Sequence, residues 1–158
     1  MPTAFDTTHF KNVLAQFATG VTVITTRLDK TTFLGLTINS FNAVSLDPPL
    51  ILWSLGNLSK NLPTFLDQPN YVVNILAADQ LNLAERFSKR MTTQFDDLEF
   101  TLSPSGLPIL KGATAWLDCQ HETHYPGGDH TIFLGRVHHC SYSHGPALLF
   151  HNREFGRT

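Results

Sequence analysis

Apolar residues recur along this chain at two different periods. Phe10, Val13, Leu14 and Phe17 fall at i, i+3, i+4 and i+7, the spacing of one helix face, and Asp6 is placed to cap the start. Gly20 is expected to end that helix. Beyond it, Val21, Val23 and Ile24 open a β-branched run, and Asp29-Lys30 has the character of a hairpin tip. Phe33 to Phe41 alternates loosely between apolar and small polar residues, as a strand does. Asp47-Pro48-Pro49 must interrupt the sheet, because proline donates no ladder hydrogen bond and restricts the residue before it. Leu50 to Leu55 predicts another strand, Gly56 to Lys60 a loop, and Asn61 to Leu66 a short helix.

Tyr71 to Leu76 is apolar and β-branched enough for a buried strand. A helix is expected over Asp79 to Phe87, with Asp79 as its cap and Leu83 four residues from Phe87. Lys89 to Pro108 reads as a long polar excursion with a short strand near Phe100. Ala113 to Gln120, Thr131 to Tyr142 and Ala147 to His151 complete the strands. Six or seven strands with two or three helices lack the regular alternation of a doubly wound sheet, and no GxGxxG follows the first strand. The order predicts a mainly β fold, an antiparallel β-barrel with peripheral helices.

Composition narrows the function class. The 158 residues suit one domain, 1–158, and 42% hydrophobic with 15% charged content is globular. A net charge of -2 argues against nucleic acid, whose binders carry a basic surplus. Twelve Phe suggest an aromatic core or a dimer seam. Cys119 and Cys140 are too few for a disulfide framework and read as free thiols in a reducing cytoplasm. No basic stretch leads into an apolar run at the start, and no apolar stretch reaches the roughly 20 residues of a membrane span, so neither export nor a membrane is expected.

Three segments carry candidate chemistry. Gly35 to Phe41, then Val44 to Pro49, sets small donors beside exposed backbone: Thr37, Asn39 and Phe41 on one strand face, Ile38 and Ser40 on the other. Such an edge suits a flat, polar-rimmed ring, and equally an edge strand with capping polar residues. Ser59-Lys60, with Ser88, Lys89 and Arg90 further on, could cradle a phosphate or simply be solvated. Tyr125-Pro126-Gly127-Gly128-Asp129-His130 makes a tight turn that leaves His130 at a strand start, where Asp129 can fix its tautomer. The histidines invite a zinc reading, but the spacing lacks the tight pairs of structural zinc. Cys119 and His121 would share a strand face with His124 beyond its end, and no metal ligand is assigned. There is no G-x-S-x-G elbow.

In their order and spacing these pieces resemble the flavin reductase-like, FMN-binding split-barrel proteins, which include the reductase components of two-component flavin monooxygenases. The resemblance runs from Phe17-Ala18-Thr19-Gly20-Val21-Thr22-Val23 through Thr37 to Phe41 and Val44 to Pro49. It continues through Tyr71 to Leu76, Leu83 to Phe87, Gly128-Asp129-His130 and Gly135-Arg136-Val137. It implies a six-stranded antiparallel Greek-key split barrel and a homodimer with flavin sites near the subunit interface. By the same resemblance Thr37, Ile38, Asn39, Ser40, Val44 and Ser45 line the flavin, with Trp53, Ser54 and Leu55 beside it. Ser59 and Lys60 meet its phosphate end, Phe87 and Lys89 close the other side, and Gly128, Asp129 and His130 face the nicotinamide. Phe155 stands where relatives often carry tyrosine, and the sequence closes soon after, at Thr158, which would leave one wall more open.

The implied activity is hydride transfer from NADH or NADPH to FMN or FAD, with His130 positioning the nicotinamide and reduced flavin passing to an oxygenase component. Two other readings stay open: a barrel of the same fold that keeps its flavin and reduces another acceptor, and a non-catalytic ligand- or metal-binding barrel. A protein cofactor carrying the hydride needs no nucleophilic side chain, which agrees with the missing triad.

Overall fold

A computed structural model describes residues 4–158. Its first element is α1 (Thr7–Leu14), capped by the Asp6 carboxylate, which accepts from the Thr8 and His9 N–H groups. The helix stops at Leu14, six residues before the expected Gly20, and its apolar stripe lies on the surface. After it come β1 (Thr19–Gly20), β2 (Thr22–Arg27), β3 (Phe33–Ile38), β4 (Asn42–Leu46) and β5 (Pro49–Gly56). Then follow α2 (Leu62–Asp67), β6 (Asn70–Ile75) and α3 (Leu81–Arg86). The excursion holds β7 (Phe100–Leu102) and β8 (Pro108–Leu110), and the chain ends in β9 (Ala115–Gly127), β10 (His130–Tyr142), β11 (Leu148–His151) and β12 (Glu154–Arg157). No described helix is long and apolar enough to cross a membrane.

The main sheet runs β3-β2-β6-β9-β10-β5-β4 with every pair antiparallel. Its two edges, β3 and β4, are successive pieces of one chain run joined by Asn39-Ser40-Phe41. Counted as one bent strand they give the six-stranded barrel, in the cyclic order β2, β3/β4, β5, β10, β9, β6, a Greek key. The bend is stitched by a side chain. Ser40 Oγ donates to the Ser54 carbonyl at 2.9 Å and accepts the Ser54 N–H at 3.0 Å, which continues the Asn42–Leu52 register where backbone pairing stops.

β2 is buried on both faces, which explains its nearly unbroken β-branched run. Its inner side joins a barrel core of Ile24, Leu34, Trp53, Phe65, Tyr71, Val73 and Phe133. There Trp53 stacks on Phe133 (centroids 4.5 Å, planes 11° apart) and meets Phe65 and Tyr71 edge-on. Each such aromatic pair contributes about 0.5–1.5 kcal/mol beyond its buried area. The outer side packs Val21 and Val23 against Leu83, Ala84 and Phe87 of the α3 segment. α3 is shorter than expected, and Asp79 does not cap it. Gln80 holds its start instead, accepting from the Ala77 N–H and donating to the Lys111 carbonyl.

Phe87 explains Gly35. A Cβ added at Gly35 would stand 2.3 Å from a Phe87 ring carbon, so the ring occupies the space a side chain would need. Gln94, also buried, pairs its amide with the Gly35 N–H and carbonyl and so finishes the β3 edge. Gly35→Ala is expected to cost about 1–3 kcal/mol through overpacking. Urea unfolding checks this: the added Phe87→Leu change should recover part of the loss, and an unshifted midpoint in Gly35→Ala contradicts it.

Candidate functional site

Thr37, Ile38 and Asn39 converge at the end of β3, where strict strand alternation breaks down. With Val21, Phe150 and Phe155 they line an open cavity of about 160 Å³. Phe150 and Phe155 face each other across the β11–β12 hairpin, ring centroids 5.1 Å apart, and β11 pairs with β1 to hold that wall in place. Of these lining residues, Val21 and Phe150 went unassigned in the sequence. β12 itself was hidden because its hairpin turns on Asn152 and Arg153, both at positive φ, without a glycine to mark it.

The hydroxyls of this region are committed to the fold. Thr37 Oγ1 donates to the Ala84 carbonyl at 2.7 Å, and the Thr37 N–H donates to the Phe87 carbonyl. Thr37 therefore docks α3 on β3 and keeps only acceptor capacity toward the cavity. Ser40 spends its hydroxyl on the seam with Ser54. Asn39 is exposed at the rim.

Several residues expected beside the flavin turn their side chains inward. Trp53 is fully buried in the barrel core and Leu55 is buried as well, so these two residues can offer a ligand only their backbone, while Ser54 between them is half-buried. Phe87 is also fully buried, against Gly35 and Phe95, and anchors α3 rather than closing a binding site with its ring. Val44 and Ser45 lie on β4, where the register with β5 shifts between Ala43 and Ser45, and neither lines the cavity. Lys89 stands exposed just past α3.

A second group assembles at the far end of β5. His130 pairs with Gly56, so the loop Gly56 to Lys60 and the β9–β10 turn lie side by side. Gly128 supplies the positive φ (67°) that this turn requires. The Asp129 carboxylate is 2.7 Å from His130 Nδ1, and this hydrogen bond holds the carboxyl below its ordinary range. The contact leaves His130 Nε2 on the side of Gly56. Ser59 Oγ accepts the Asn61 N–H at the entry to α2, and Lys60 projects exposed beside it. Ser54, at the seam, and Gly56, under His130, are two residues apart on β5, about 7 Å along the strand. The seam and the turn are thus neighbours.

His124 does not lie past the end of its strand as expected. β9 runs on to Gly127, so His124 lies within the strand, and a register shift opposite Glu122 brings it to the same side as His121. Their ring nitrogens are 3.1 Å apart, and both rings tilt against Phe133. Burial pushes the Cys119 thiol up to about 12, so this cysteine is held as an unreactive thiol.

Against known proteins, a model of the family "Flavin reductase like domain" matches residues 14–158. The chain belongs to this family. It is 38% identical to the FMN reductase (NADH) SmoA of Agrobacterium fabrum over 99% of this chain and 89% of that protein. It is 40% identical to the reductase subunit HsaB of a flavin-dependent monooxygenase from Rhodococcus jostii, over 85% of this chain and 68% of that one. In structure it resembles the NADH:FAD oxidoreductase SgcE6 of Streptomyces globisporus, solved in complex with NAD and FAD fragments. That similarity has a TM-score of 0.91 and 35% identity over 97% of this chain and 93% of that one. Family membership agrees with the antiparallel split barrel seen here.

Partial burial, then the nearby His124 charge, lowers the His121 pKa below the ordinary 6.5. The folded state therefore favours neutral His121, and the unfolded chain takes up the proton first as pH falls. Stability from this group is complete above pH 6.5 and declines as pH drops from 6.5 through the lowered folded value. NMR titration should place the His121 midpoint below 6.5 and move it upward in His124→Ala; a midpoint at or above 6.5 contradicts this.

Proposed function

We propose that this single-domain chain is an NAD(P)H-dependent flavin reductase that takes FMN or FAD at the end of β3 and the seam, with the nicotinamide over the Gly128 to His130 turn. One observation carries the reading: a cavity walled by Ile38, Phe150 and Phe155 and rimmed by Asn39 lies beside the Ser40–Ser54 seam, and Gly56, two residues beyond Ser54, pairs with an exposed histidine oriented by a carboxylate. The relatives' names, FMN reductase (NADH) and NADH:FAD oxidoreductase, support it.

The residues fit such a ligand in part. Ile38, Phe150 and Phe155 offer apolar contact, while the Asn39 amide and Thr37 acceptor meet polar edges. Ser59 and Lys60 supply a hydroxyl and a cation for a phosphate end, with Lys89 as a further cation. Bound flavin supplies the hydride acceptor, and reduced nicotinamide the donor. The protein's part is orientation: Asp129 fixes the His130 ring, and His130 Nε2 holds the donor in register.

The cavity is small beside the roughly 300–1,000 Å³ of typical small-molecule sites. A homodimer would complete it, and the uncovered Phe10, Val13 and Leu14 of α1, with exposed Phe17 just beyond the helix, form an apolar face suited to a second copy. The monooxygenase-subunit relative supports delivery of reduced flavin to an oxygenase component. The two free thiols fit the cytoplasm as the place of action.

Following NADH and NADPH oxidation with added FMN, FAD and riboflavin tests the reading. Oxidation that depends on added flavin is expected; none with any pair contradicts it. Flavin that stays bound through gel filtration without turnover of free flavin would favour the tightly held alternative. His130→Ala is expected to lower kcat/KM for the nicotinamide about tenfold to a hundredfold, and an unchanged value overturns its role.

A further inference from the structure

Asn57 opens the loop after β5 and is exposed, yet it is bonded three times to one short stretch. Its N–H donates to the Asp129 carbonyl at 2.9 Å, and its Nδ2 donates to the Gly128 carbonyl at 3.2 Å. Its Oδ1 accepts from Thr131 Oγ1 at 2.8 Å. An exposed amide ordinarily bonds to water and keeps its rotamer freedom, because ordering it costs entropy. Here both ends of the amide are used, and their partners, Gly128 and Thr131, flank the Asp129-His130 pair.

The strand ladder does not do this job. β5 and β9 pair with β10 from His130 onward, which leaves Gly128 and Asp129 as the turn itself. Gly128 has nothing within 4 Å of where a Cβ would stand, so no packing restrains it. Asn57 thus adds two side-chain bonds to a two-residue turn that the ladder holds only at its base, the Gly127–His130 pair, and they come from the loop that carries Ser59 and Lys60.

We propose that Asn57 is a positioning residue: it locks the Gly128 to His130 turn to the Gly56 to Lys60 loop and so sets His130 for the hydride donor. The inference rests on the reductase reading above. Asn57 touches no reacting atom in this account and acts through Asp129 and His130. The two side-chain bonds are what a variant removes; the backbone bond to Asp129 survives any substitution.

Steady-state kinetics of Asn57→Ala, Thr131→Val and the double variant test it, with unfolding midpoints measured alongside. Loss of two net hydrogen bonds should raise KM for NADH about tenfold in Asn57→Ala, and loss of one about threefold in Thr131→Val. kcat at saturating NADH and KM for flavin should stay within about twofold, and the double variant should match Asn57→Ala rather than sum the two, because both cut one network. An unchanged KM for NADH, or equal rises for NADH and flavin with a lowered midpoint, overturns the inference. A wild-type chain that oxidises neither NADH nor NADPH with any flavin overturns the reductase reading and this inference with it. An active wild type with unaltered variants overturns this inference alone.

Discussion

A single hydroxyl closes this barrel. Where β3 gives way to β4 the backbone cannot keep pairing, because the chain must swing from one edge of the sheet to the other. Ser40 takes over, donating to and accepting from the Ser54 peptide in the register the backbone abandons. An antiparallel sheet with free edges exposes unpaired N–H and C=O groups, and closure removes that liability. It also encloses the inner face on which Trp53, Phe133, Phe65 and Tyr71 pack. The enclosure is tight enough to leave the Trp53 indole N–H facing the Tyr71 hydroxyl without a hydrogen bond of ordinary geometry. Burial accordingly drives the Tyr71 hydroxyl pKa well upward.

The same closure sets the functional surface. Because Ser40 sits against Ser54, the end of β3 and the end of β5 lie close together, with the β9–β10 turn on the other side of β5. Segments far apart in sequence are linked through β5: Ser40, next to Asn39, bonds Ser54, and Gly56, two residues on, pairs with His130. The cost falls on the polar side chains. Thr37 and Ser40 spend their donors on the scaffold, while Asn39, Lys60 and His130 keep exposed side chains. The site is rigid behind and open in front, which suits a substrate that arrives and leaves.

Much of this was legible in the chain. β-branched runs marked β2 and β6, Asp47-Pro48-Pro49 marked the turn between β4 and β5, and Asp29-Lys30 the β2–β3 hairpin. Gly128-Asp129-His130 was readable because a tight turn forces a carboxylate and an imidazole together. What stayed hidden depended on tertiary contacts. No local signal says that Trp53 and Phe87 point inward, since an aromatic beside a site and one in the core read alike. The His121–His124 pairing needs a one-residue register shift that periodicity cannot show. The α1 stripe predicted a helix correctly but not that its apolar face would stay uncovered. β12 turns on Asn152-Arg153, an unusual pair at positive φ.

The central claim is that flavin meets the chain at the β3 end and the seam. Amide hydrogen exchange with and without saturating FMN tests this most directly. The account predicts added protection at Thr37 to Phe41 and in the Gly56 to Lys60 loop, with little change in the β7–β8 ribbon. Protection confined to other segments, or none under conditions where FMN is bound, would contradict it.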